Sequence, residues 1–101
     1  MAFQHQYDTS RLVNVSENEV FAAIDRFLAG DPDICRCQVC MLDLAALALN
    51  RMPPAYRTTA YTPSPPGALG VTWDEAAGAL RLRADEAVAA AAGIVRARPH
   101  H

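Results

Sequence analysis

Apolar positions first fall into a period at Val20, and Val20, Phe21, Ile24, Phe27 and Leu28 follow at the spacing of one helix face. Ser16 and Glu19 precede them at the spacing of a capping box, in which the serine oxygen accepts the N3 amide and the glutamate reaches back to the cap amide. A helix from Ser16 is therefore expected, ending at Gly30, which can take the left-handed conformation of a residue just past a helix end. Asp31-Pro32-Asp33-Ile34 is turn chemistry. The next run, from Gln38 to Met52, has a different pattern. Val39, Met41, Leu42, Leu44, Leu47, Leu49 and several alanines leave little that is polar beyond Asp43, Asn50 and Arg51, so this helix of about 14 residues is apolar nearly all round. A helix of that kind is covered on both sides. In a chain this short a second copy is the natural cover, which predicts a homodimer. Pro53 and Pro54 stop the helix, because proline disfavours the α conformation in the residue before it.

The pattern is weakest at two places. Residues 1–13 have no period and read as an arm ordered where Tyr7, Leu12 and Val13 pack. Between residues 53 and 73, prolines and glycines, among them Pro63, Pro65, Pro66, Gly67 and Gly70, make a loop, although Arg57 to Tyr61 tolerates a short strand. Further on, Thr72 or Asp74 caps a short helix, and the alternation Leu80/Leu82 makes Ala79 to Arg83 a second strand candidate. Ala84 to Ala97 forms the last helix, with Asp85 and Glu86 in its first turn and Arg96 and Arg98 at its end to complement the dipole. The expected fold class is mainly α. It is a small domain of three to four helices over residues 14–101, with a Pro/Gly-rich loop and room for a short strand pair, behind an arm of residues 1–13.

Composition narrows the function classes. With 101 residues, 51% hydrophobic and 20% charged, the chain is one folded domain rather than a disordered segment. A net charge of −2 speaks against general nucleic-acid binding, which needs a clustered excess of cations. No apolar run approaches the roughly 20 residues of a bilayer span, and residues 1–8 lack the pattern of a signal peptide. No membrane association and a cytoplasmic location are the expectations.

The three cysteines, Cys35, Cys37 and Cys40, are an odd number packed too closely for a disulfide framework. Cys37 and Cys40 fall in one helical turn, Cys35 on the lead-in can fold back towards them, and the helix N-terminus favours thiolates. A thiolate-rich site suits zinc, whose structural sites take four ligands. The fourth comes from His5, His100, His101, Asp43, water or a second chain; His100 or His101, just past the last helix, is favoured. A redox pair and inert buried thiols are the rival readings. No histidine lies between His5 and His100 to serve as a general base, so an enzyme is not expected.

From Cys35 to Tyr56 the chain reads CRCQVCMLDLAALALNRMPPAY. With Asn14, Glu19 and Val20 upstream, this resembles the late competence development ComFB family: a C-x-C-x-x-C cluster, Asp43 three residues on, an Ala46-to-Asn50 helix end and the Pro53-Pro54-x-Tyr56 turn. The resemblance implies a small, mainly helical homodimer, stabilised by zinc at the cysteines, that acts as a receptor for cyclic dinucleotides, chiefly cyclic di-GMP, with cyclic di-AMP as a related ligand. A C-terminal cysteine that completes the metal site in some members is missing here. Nucleotide binding would need guanidinium forks for phosphates and flat groups for bases, and Arg51, Tyr56, Arg57 and Asn50 flank the double proline, followed by Tyr61. Arg81, Arg83 and the Trp73 segment are the other location. The expected function is a non-enzymatic cyclic di-GMP receptor that signals to a downstream protein. The alternative is a zinc-stabilised protein–protein interaction module without a nucleotide ligand. A thiol oxidoreductase is a third reading.

Overall fold

The computed structural model describes residues 3–31, 33–58 and 72–98. Its elements run α1 (Phe3–Gln6), β1 (Val13–Asn14), α2 (Val15–Gly30), α3 (Gln38–Leu49), β2 (Tyr56–Arg57) and α4 (Trp73–Ala97). The mainly helical class is as expected, with a short strand pair. None of these helices is long and apolar enough to cross a membrane.

Ser16 does not cap α2. The cap is Asn14, whose Oδ1 accepts the Ser16 N–H at 3.2 Å, while Ser16 sits inside the helix, 1% exposed. Its hydroxyl instead donates to the Pro53 carbonyl at 2.5 Å. Asn14 Oδ1 also accepts the Ala55 N–H, and the Val15 N–H donates to the Ala55 carbonyl. These bonds strap residues 53–55 to the start of α2 and set the antiparallel ladder that follows, Val13 opposite Arg57 and Asn14 opposite Tyr56. The strand pair therefore joins the arm boundary to the double-proline turn, and does not involve residues 79–83.

At the other end of α2, Gly30 is the last helical residue and needs no left-handed backbone. Asp31, extended at φ −139°, closes the helix with its N–H on the Leu28 carbonyl, and the Arg36 guanidinium donates to both the Leu28 and the Asp31 carbonyls. Ile24, Phe27 and Leu28 pack against the core as expected, but Phe21 is 46% exposed.

α3 ends at Leu49, three residues before Met52, and turns through Asn50 into the prolines. It buries Cys40, Leu44 and Ala48 and leaves Val39 and Leu42 facing out. α4 is one helix of 25 residues capped by Thr72, whose Oγ1 accepts the Glu75 N–H. No strand interrupts it at Ala79 to Arg83. Two residues turn a helix by about 200°, so Leu80 is buried and Leu82 exposed, where a strand would put both on one face. Leu80, Ala84, Val88, Ala91 and Val95 make the buried stripe, and it packs on both α2 and α3.

Among the described residues two ion pairs tie α4 to the α2 segment: Arg26 holds Asp85 at 2.8 Å, and Arg96, which also lies over the Phe27 ring, pairs with Asp31. The arm contributes little. Tyr7 lies against Phe3, 5.0 Å between ring centroids, and both Tyr7 and Leu12 are exposed, so of the three expected packing residues Val13 alone enters an element of the domain.

Candidate metal centre and ligand residues

The loop after α2 brings the three thiols together by helix initiation. Cys37, extended at φ −67° and ψ 160°, is the N-cap of α3, and its Sγ accepts the Cys40 N–H at 3.4 Å. Cys40, in the first turn, points into the core at 1% exposure, and Cys35 on the lead-in packs against the same core. The three Sγ atoms lie within 4.8 Å of one another, and no disulfide joins them. Hydrogen bonding from the Cys40 N–H, aided by the thiols of Cys35 and Cys40, holds the Cys37 thiol below its ordinary pKa against the opposing effect of burial.

This arrangement fits a thiophilic ion. Tetrahedral zinc with Zn–S distances of about 2.3 Å spaces its sulfurs by about 3.8 Å, so the cluster needs to close by about 1 Å at most. Among the described residues no fourth histidine, cysteine or carboxylate joins the group, which sets His5 and Asp43 aside; His100 and His101 lie outside the described residues. The grouping of the cysteines was legible from their spacing. The capping role of Cys37 does not follow from that spacing, although a small side chain with an acceptor atom just ahead of an apolar run is the usual signal for a cap.

The expected ligand residues are not gathered at one point. Asn50, the C-cap of α3, lines a cleft of about 310 Å³ with Asp43 and Leu47 on α3 and Ile94, Val95 and Arg98 at the end of α4. Arg51, one residue on, faces a groove of about 170 Å³ with Arg83, Glu86 and Ala87. Tyr56 and Arg57 lie on β2, both exposed, and the Arg57 guanidinium carbon sits 5.4 Å from the centroid of the Trp73 ring. Trp73 and Arg83 are ten residues apart on α4, about 15 Å along its axis. Tyr61 lies outside the described residues. In sequence Glu86 is a complement to a helix dipole; with residues 73–97 as one helix, Arg83 and Glu86 fall one turn apart on the same face.

The family model described as late competence development protein ComFB matches residues 13–99, a longer stretch than the motifs alone would delimit. No curated protein and no solved structure matches the chain.

Proposed function

Because the chain belongs to the late competence development protein ComFB family, we propose that it is a non-enzymatic cytoplasmic receptor for cyclic di-GMP. In this reading Cys35, Cys37 and Cys40 hold a structural zinc, His100 or a donor from another chain completes the site, and Arg51, Asn50, Tyr56 and Arg57 supply ligand contacts. The observation that carries it is the family match over the segment that sets a thiol triad at one end of α3 and arginines open to solvent at the other. When bound, the metal supplies four-point cross-linking of the loop and no reaction step. Titration calorimetry with cyclic di-GMP, cyclic di-AMP and GTP at protein concentrations of about 50 µM tests it. Heat with cyclic di-GMP is expected; none with either cyclic dinucleotide rejects the reading.

A second reading, a metal-stabilised module that binds only protein, is favoured by Val39 and Leu42. They are 39% and 59% exposed, one turn apart on α3. The same pair is the face by which we propose that two copies meet. Leu42→Asp should then convert a dimer to a monomer in sedimentation velocity with the helical content kept. A binding-partner set indifferent to added cyclic di-GMP favours the protein-only module; a set that changes with it favours the receptor.

A further inference from the structure

Arg51, in the turn after α3, and Arg83, on α4, converge on one groove, where Glu86 is the one carboxylate among the described lining residues and Ala87 the fourth of them. All three charged side chains belong to exposed residues, and among the described residues none of them is in an ion pair. Arg26 and Arg96, by contrast, each hold a carboxylate. Two guanidinium groups sharing a hollow repel one another, and one carboxylate leaves the groove a unit of positive charge in excess. Ala87, 5% exposed, has a side chain too short to fill the hollow between them.

The adjacent end of α3 does little to oppose an anion there. Its last carbonyls are already occupied by turn amides: Asn50 N–H donates to Ala46, Arg51 N–H to Ala48 and Met52 N–H to Leu49. The negative end of that helix is thereby partly answered before any ligand arrives.

We infer that this groove takes a guanine nucleotide, its phosphate held between the guanidinium forks of Arg51 and Arg83 and its Watson–Crick edge read by Glu86. The inference rests on the receptor reading above and adds to it two residues, Arg83 for affinity and Glu86 for base choice. Two guanidinium forks match the paired oxygens of a phosphodiester. The Watson–Crick edge of guanine presents two adjacent N–H donors, from N1 and from the exocyclic amine, and a carboxylate has two oxygens to accept them. Adenine presents one donor and one lone pair there, so one carboxylate oxygen would face an acceptor. The groove therefore prefers guanine, and Glu86 is the residue that makes it so.

The test compares the parent protein with Arg83→Ala, Arg83→Lys, Glu86→Gln and the charge control Arg11→Ala. Each is titrated calorimetrically with cyclic di-GMP, cyclic di-AMP and 5′-GMP after circular dichroism has shown the parent's helicity. Loss of a charge-assisted fork should weaken both cyclic dinucleotides about tenfold or more in Arg83→Ala, with Arg83→Lys between it and the parent and Arg11→Ala within about twofold of the parent. Glu86→Gln should weaken cyclic di-GMP and leave cyclic di-AMP unchanged or tighter. Cyclic di-GMP binding equal to the parent's in Arg83→Ala, or an unchanged guanine preference in Glu86→Gln, overturns the inference and leaves the receptor reading standing. Arg83-dependent binding of 5′-GMP without any cyclic dinucleotide heat does the reverse. A parent that binds none of the three overturns both.

Discussion

The two ends of α3 are held by opposite means. At its C-terminal end, Ser16, Asn14 and Val15 supply the hydrogen bonds that fix the double-proline turn, and every group involved is an ordinary backbone or side-chain donor or acceptor. At its N-terminal end the helix is capped by a thiol, a weak acceptor, and three sulfurs crowd within 4.8 Å. One end is complete as folded. The other concentrates soft, ionisable ligands where a hydroxyl or a carboxylate would cap better, a choice that makes sense when a metal supplies the stability.

The strongest way to break this comparison is to disable the sulfur end. Cys37→Ser, or a chelator applied to the parent, should lower Tm by more than about 10 °C in scanning calorimetry, since the free energy of a structural zinc site is folding free energy. An unchanged Tm in the chelator experiment would mean that both ends stand alone.

Next in size is the hydrogen-bonded end. Ser16→Ala strips the Pro53 carbonyl of its partner and should cost about 1–3 kcal/mol in urea unfolding, and Asn14→Ala, which removes a cap together with the Ala55 contact, about 1–2 kcal/mol. Neither should change metal content; a fall in bound zinc would show that the two ends are coupled through α3. Arg26→Ala should cost no more than about 1 kcal/mol, because the pair with Asp85 is partly open to water, with side chains 35% and 45% exposed.

A titration sharpens the contrast further. The Cys37 thiol is lowered in the fold relative to the open chain, chiefly by the Cys40 N–H, so its stabilising contribution is present above the unfolded thiol's pKa and disappears as pH falls through the folded value. Thiolate absorbance of the apo-protein should therefore include a component below the ordinary thiol range that is absent from Cys37→Ser. The hydrogen-bonded end, which has no titrating member, should show no such dependence.

Legibility from sequence follows side-chain size and locality. α2 and α3 announce themselves through Val20, Ile24, Phe27 and Leu44, large residues at helical spacing, and the thiol group lies within six consecutive positions. α4 falls into three pieces in the sequence pattern because its inward stripe is largely alanine, which carries little hydrophobic contrast, so the two leucines at 80 and 82 dominate. Ser16 has the sequence of a cap but the job of a tertiary donor, and only its meeting with Pro53, 37 residues away, decides between them. A comparable separation hid the groove: Arg51 and Glu86 become neighbours through the packing of α3 on α4, which no local pattern encodes.

α4 covers α2 and α3 more extensively than those two cover each other. A ribosome delivers it last of the elements described. At roughly 5–20 residues per second, its 25 residues take on the order of one to five seconds to synthesise, during which Val20, Leu44 and Cys40 have no lid. The nascent chain thus passes through an interval in which three thiols and two apolar helix faces are open together. A metal bound by the thiols would in that interval meet side chains that the finished core half encloses, so the order of its binding and of domain closure would be open to the timing of synthesis.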